Sequence, residues 1–413
     1  MLRVLGTTWP LLLGVLMLMI GNGVQATLIG IRGAIEGFDT LEISIVTSAY
    51  FVGFLGGSRL APDLIRRVGH VRVFAALGSL ISAVIVLYPA IPDWQAWTLM
   101  RLLIGFSFSG VYVTAESWLN NASTNETRGQ ALSLYMIVQM IGIIVSQALL
   151  NVGAPSGFVI FIIPSVLVSL AFMPILLTSG GAPGFETIRP LSLRSLFAIS
   201  PLGFVGMLLT GMVFSTMFGM ASVWGTLEGL SVGQISVFVG ALYVGGLVLQ
   251  YPIGWMSDRW DRRKLVVLLS LVCAVTMLIG AVFPAHFALL VVLALILGGA
   301  LNPIYSLLIA HTNDFLRKED MASASAGLIF LNGLGAIAGP LVTGWIMEQV
   351  GPRGFFLVIA ITTLALGLYG IWRMSRRRGP SEAGAFVPLS PSASPVAVEA
   401  VLDRSATDDG PAR

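Results

Sequence analysis

Apolar runs of about twenty residues, separated by short polar turns, recur along the whole chain. Residues 264–283, KLVVLLSLVCAVTMLIGAVF, are typical. A helix rises about 1.5 Å per residue, so roughly twenty apolar residues cross the ~30 Å hydrocarbon core of a bilayer. Lipid offers no hydrogen bonds to a backbone amide, so a crossing segment must satisfy its own, which selects helices and excludes open sheets. The sequence therefore predicts an all-α membrane protein seated in a lipid bilayer. Charge content agrees: 10% of the 413 residues are charged and 56% are apolar, against about 25% charged in a typical soluble domain.

Twelve spans are expected, near residues 9–31, 42–61, 73–91, 95–119, 130–152, 157–177, 198–224, 232–256, 264–283, 287–311, 323–349 and 354–374. An even number puts both termini on one face. That face would hold eighteen cations: Arg3, Arg59, Arg66, Arg67, Arg72, Arg128, Arg189, Arg194, Arg259, Arg262, Arg263, Lys264, Arg317, Lys318, Arg373, Arg376, Arg377 and Arg378. The opposite loops hold two, Arg32 and Arg353. Cations are retained on the cytoplasmic side, so both termini are expected in the cytoplasm and the multi-pass chain in a bacterial inner (plasma) membrane.

The first 26 residues follow the order of a signal peptide. Their apolar run is long and eleven more follow, so a retained first helix is expected. Residues 178–197 divide the chain into six-helix bundles at 1–177 and 198–374, and the Ser-, Pro- and Ala-rich stretch 375–413 reads as a disordered cytoplasmic tail. The net charge of +3 lies in loops and not on one basic face, so no nucleic-acid partner is expected. The single cysteine, Cys273, excludes an internal disulfide and a cysteine-based metal site. A monomer without cofactor is expected.

Charge is most concentrated in GWMSDRWDRRK, residues 254–264, between spans 8 and 9. The matching turn of the first half, PDLIRRVGHVR (62–72), places Arg67 192 residues before Arg259. At an offset of 193, Gly105 pairs with Gly298, Tyr112 with Tyr305 and Asn120 with Asn313. Two parallel six-helix repeats are a known transporter plan, with the substrate held between them near mid-membrane.

Over residues 1 to about 375 the chain resembles the major facilitator superfamily (MFS). Gly254, Asp258, Arg259, Arg262 and Arg263 follow that family's loop signature, with Asp261 where a second glycine is usual. The first-half loop keeps Arg67, Gly69 and Arg72 but has Pro62 for the first glycine and Arg66 for the aspartate. Arg101 with Gly105 resembles the family's span-4 signature, and ETRGQAL, with Glu126, Arg128 and Gly129, resembles the start of its span 5. VYVTAESWLN and NPIYSLLIAHTND are similar to the YcaD-like branch of bacterial members, which brings no substrate with it. The resemblance implies two pseudo-symmetric six-helix halves and a secondary transporter moving a small organic solute by alternating access. A sensor or assembly protein on the same scaffold is the alternative.

Enzyme and ATPase motifs are missing: there is no HExxH, no GxxxxGK[ST] and no GxSxG. Chemistry must then come from the spans. Arg101 lies inside span 4, where a guanidinium costs at least ~2.5–3.5 kcal/mol and faces a cavity or a partner. It keeps its charge, so it could bind an anionic group or tune a carboxylate but carries no proton itself; a structural role, or snorkelling to the outer surface, is the alternative. Arg101, Gly105, Phe108, Tyr112 and Glu116 form one helical stripe. Arg101 and Glu116 are about 22 Å apart along it and cannot pair. Glu116 has two readings: a proton-coupling carboxylate, or a gate residue pairing with Arg66, Arg67, Arg72 or Arg128. In the resembled family, helices 1, 4, 7 and 10 line the cavity. Carried over by span, these give Asn22, Gln25, Tyr112, Thr210, Ser215, Thr216, Asn302, Tyr305 and Ser306 as polar lining candidates. Gly53 with Gly57, and Gly335 with Gly339, are four apart and predict close helix approach. Pro340 should bend or weaken span 11. The loop Asp258–Arg263 is expected to carry the acid–base cluster that locks the cytoplasmic side.

Overall fold

The computed structural model describes residues 2–121, 123, 127–176, 191–283 and 286–376. The first six spans are α1 (Leu2–Ile35), α2 (Thr40–Val68), α3 (His70–Leu87), α4 (Trp94–Asn121), α5 (Arg128–Leu149), and α6 (Val159–Ala171) followed by α7 (Met173–Leu176). The second set opens with a short α8 (Leu193–Ile199). It continues through α9 (Pro201–Gly219), α10 (Ala221–Leu227), α11 (Val232–Ser257), α12 (Arg262–Val282), α13 (Phe287–Asn313), α14 (Lys318–Val350) and α15 (Gly354–Arg376). Eleven of these helices are long and apolar enough to cross a membrane, and the 13-residue α6 is the shorter member of the series.

Two expected spans are interrupted. Span 6 breaks at Phe172, two residues before Pro174, which has no amide donor and whose ring would clash with the Leu170 carbonyl in a continuous helix. Span 7 was expected as one helix from 198 to 224; instead Ser200 caps α9 at the Gly203 amide with Pro201 in the first turn. That helix stops at Gly219, where the Thr47 methyl of α2 packs over the bare Cα, and α10 resumes after Met220. Pro340 does not interrupt α14, which runs unbroken from Lys318 to Val350. The linker as far as residue 190, the tail beyond Arg376 and the Arg128 side chain lie outside the described residues.

Glycines set the tightest crossings. A Cβ on Gly53 would overlap the Leu102 carbonyl of α4, and one on Gly105 would overlap the Tyr50 carbonyl of α2. In the second set, Gly245 meets Leu295 and Gly298 meets Leu242 in the same way. Gly57 lies against Phe106, Gly335 against Leu208 and Gly339 against Met212 and Ser215, so both expected small-residue pairs mark close approach. The α1–α5 and α9–α14 joints are related by exchange. Gly23 faces Ser146 in the first, and Ser215 faces Gly339 in the second.

Contacts between the two sets concentrate on the face distal to the chain ends. The Leu41 amide donates to Glu348 Oε1 (3.0 Å), linking α2 to α14. Asn151 Nδ2 donates to Ser236 Oγ (3.4 Å), linking the end of α5 to α11. Gly30 of α1 packs against Ser222 and Val223 of α10. Towards the other face, Arg59 lies 4.2 Å above the Phe330 ring, again between α2 and α14.

Candidate functional site

A cavity of about 230 Å³ lies between the two sets of spans, walled by α1, α2, α4 and α5 on one side and α9, α11, α13 and α14 on the other. Most of the wall is aromatic or aliphatic. Phe54 sits 6.1 Å from Tyr50 and 5.9 Å from Tyr112 on the first-half side. Opposite, Phe218 stacks on Tyr243 at 4.3 Å and on Phe214 at 5.7 Å. Asn22, Gln139, Asn302 and Asn332 add amides, and Arg101 is the one charged residue on the wall among the described residues.

Arg101 is held from both sides. The Gly105 crossing lets α4 press onto α2, and the Tyr50 ring lies 4.8 Å under the guanidinium. The Arg101 Nη1 donates to Gln25 Oε1 of α1 at 2.5 Å. The residue is 3% exposed, its Nε has no partner among the described residues, and no carboxylate among them pairs with it. An uncompensated buried cation is expensive, so its position at a cavity is a functional signal.

The structure sorts the sequence candidates. Arg101, Asn22, Tyr112 and Asn302 line the cavity. Gln25 stands behind Arg101 as its support. Tyr305 is buried off the wall, and its hydroxyl is unpartnered among the described residues. The span-7 hydroxyls turn away: Thr216 bonds Thr343 (2.8 Å), and Ser215 bonds the Met212 carbonyl. Phe214 and Phe218, one turn apart, take the inward face instead. Sequence reasoning missed Tyr50, Phe54, Tyr243 and Asn332, because it confined the wall to helices 1, 4, 7 and 10. The repeated one-turn spacing of Tyr50 with Phe54 and Phe214 with Phe218 was the available signal.

Glu116 is fully buried. Its carboxylate lies near Tyr112, Tyr135 and Tyr305. Arg66, Arg67 and Arg72 are exposed, and Arg66 pairs with Asp63 on its own helix. In the second loop Gly254 is buried and Asp258 exposed, and Arg259 folds back over its own Trp255 ring at 4.0 Å. Arg263 pairs with Asp261 at 2.6 Å, and this hydrogen-bonded contact holds the Asp261 carboxyl below the usual carboxylate range. The buried ion pair is Arg262 with Asp314 (2.5 Å), joining α12 to the end of α13, and Asp314 was not anticipated.

A bundle of membrane-crossing helices in two sets, enclosing a polar-spotted cavity at their junction, is the architecture of a solute transporter. The chain belongs to the Major Facilitator Superfamily, whose profile matches residues 11–242 and 226–405; it is an MFS-type transporter and not an enzyme. An uncharacterized MFS-type transporter, YcaD, of Escherichia fergusonii is 27% identical over 364 residues, covering 85% of this chain and 91% of that one. One from Yersinia enterocolitica is 26% identical over 384 residues, covering 90% and 97%. Among solved structures, the nucleoside transporter NupG superposes with a TM-score of 0.78 at 15% identity, covering 90% of this chain and 100% of that one. A bacterial homologue of the human lysosomal transporter Spinster superposes with a TM-score of 0.68 at 13% identity, covering 98% and 99%.

Proposed function

We propose that this protein moves a small organic solute across a bacterial plasma membrane by alternating access, as a monomer whose bundles 1–177 and 198–374 rock about the solute. The observation that carries the reading is the cavity: both six-span sets build it, and the contacts joining the sets lie mainly on the distal face. Rocking one bundle against the other around such a site exposes it to each side in turn. The excess of cations on the face of the chain ends supports cytoplasmic termini, so the state described here faces the cytoplasm. In the opposite state, the turns containing Arg66, Arg67 and Arg72 and Gly254, Asp258, Arg259, Arg262 and Arg263, with Arg128, form the cytoplasmic gate.

Protons are the coupling ion in this reading. Glu116 is a carboxylate buried in the membrane beside Tyr112, which itself lines the cavity, and an intramembrane carboxylate can take up and release a proton with each cycle. The test is reconstitution into proteoliposomes, using solutes chosen by thermal stabilisation; nucleosides belong in the screen, although at 15% identity NupG shares only the fold. Saturable counterflow is expected. Glu116→Gln should keep counterflow and lose accumulation driven by a pH gradient. Stabilising solutes that never cross the bilayer would turn the reading towards a membrane sensor.

A further inference from the structure

Building on the transport reading, we propose a solute class for this cavity: small aromatic monocarboxylates, with the carboxylate on Arg101 and the ring between the two aromatic walls.

Charge is the first argument. Among the described residues the wall carries one cation and no anion. Gln25 offers Arg101 a single carbonyl oxygen, leaving Nε without a partner among the described residues. A guanidinium presents its donors as a planar fork that matches two carboxylate oxygens. Tyr50 beneath it, at 4.8 Å, holds that plane. One bound carboxylate would neutralise the charge, whereas a dicarboxylate would bring one anion too many. A cationic solute would meet Arg101 with no wall carboxylate to offset it, because Glu116 is fully buried and does not line the cavity.

Shape is the second argument, and it is independent of charge. Phe54 with Tyr112, and Phe218 with Tyr243, come from opposite halves and line one cavity. Flat aromatic surfaces favour another ring in offset or edge contact. Asn302 Nδ2 already donates to the Gly298 carbonyl at 3.0 Å, and Asn332 Nδ2 to the Met207 carbonyl at 3.2 Å. Each amide keeps its second Nδ2 hydrogen and its Oδ1, enough to meet a ring hydroxyl on the solute. Drug-sized ligands occupy pockets of roughly 300–1,000 Å³; at about 230 Å³ this cavity suits one or two rings.

The experiment compares matched acids and amides on the full-length purified protein: benzoate with benzamide, 4-hydroxybenzoate with its amide, and indole-3-acetate with its amide. Binding is read by thermal shift and isothermal titration. At least one acid is expected to bind at least tenfold more tightly than its amide. Arg101→Gln should erase that discrimination, weakening the acid far more than its amide. Arg101→Lys, which keeps the charge, should retain part of the preference, and it covers the case in which the glutamine variant does not fold. Equal binding of acid and amide to the wild type overturns the proposal, as does discrimination surviving in Arg101→Gln or no acid binding up to millimolar concentration. Counterflow separates this outcome from the broader reading. Transport of neutral or cationic solutes with no acid preference removes the solute class and leaves the transporter. Acids that bind with the expected discrimination but never cross the bilayer support the site and remove the transport reading.

Discussion

The two halves solve the same joint with different chemistry. In the first, α2 turns into α3 through one residue, Gly69, at φ +86°. The next residue, His70, hydrogen-bonds Ser117 of α4 through Nε2 at 2.9 Å. In the second half the turn is longer, Asp261 stands where Gly69 does and caps α12, and Arg262 in the place of His70 pairs with Asp314 at the end of α13. Each joint ties the start of a third helix to the end of a fourth, once through a histidine–serine contact and once through a buried ion pair. A repeated fold thus conserves where a tie is needed without fixing what makes it. The second joint is also the more brittle, since removing one member breaks a buried ion pair.

That contrast predicts the largest effect. Asp314→Ala removes the carboxylate paired with Arg262, which is 3% exposed, and breaking a buried pair this way costs about 3–5 kcal/mol. Ser117→Ala removes one hydrogen bond, worth about 0.5–1.5 kcal/mol. Thermal unfolding in detergent should rank the two variants clearly. Equal losses would mean that the two joints bear equally on stability. The apolar double variant Arg262→Met with Asp314→Leu should recover much of the loss, because apolar replacements of a buried pair are often neutral.

Where the halves agree, substitutions should agree too. Gly53→Ala and Gly245→Ala each push a methyl into a carbonyl of the facing helix, and overpacking of this kind costs about 1–3 kcal/mol. Similar losses are expected in both, read as melting temperature. Gly56 has nothing within 4 Å of an added Cβ, so Gly56→Ala should be neutral or stabilising by up to about 1 kcal/mol. A large loss there would show that close approach to the facing helix is not what sets the cost of an added methyl in these helices.

The legible part of the molecule was the part that depends on one helix at a time. Run lengths gave the spans, and glycines four apart marked Gly53 and Gly335 as crossing points. Arg101 was conspicuous because a guanidinium in hydrocarbon needs a reason. What could not be read depends on which face meets which neighbour. Asp314 is 52 residues from Arg262 and looks like any loop acid until α12 and α13 are packed. Tyr243 and Asn332 face the cavity because α11 and α14 lean across the junction, and no periodicity within either helix reveals that lean. The break in span 7 has the same origin, since the Thr47 contact that accompanies it comes from another helix.

The smallest predicted effect tests the exchange of Gly69 for Asp261 directly. Gly69, at φ +86° and ψ 160°, sits in backbone space that side chains rarely adopt, and strain of that kind costs about 1–3 kcal/mol, so Gly69→Asp should destabilise. Asp261→Gly should cost only a few tenths of a kcal/mol, the usual difference between these residues as helix caps. Its signature is instead in pH. The folded Asp261 carboxyl is held below its ordinary value, chiefly by hydrogen bonding to Arg263. Its stabilisation is therefore complete above the unfolded value of about 3.9 and is lost as pH falls through the lower folded value. Melting curves of wild type and Asp261→Gly should run parallel from pH 7 to 5 and converge below about pH 4. Asp261→Asn, which keeps the capping oxygen without the charge, should lose the pH-dependent part and keep the cap. A gap between wild type and Asp261→Gly that does not narrow at all as pH falls below about 4 would leave capping alone as the role of this residue, with no contribution from its pairing to Arg263.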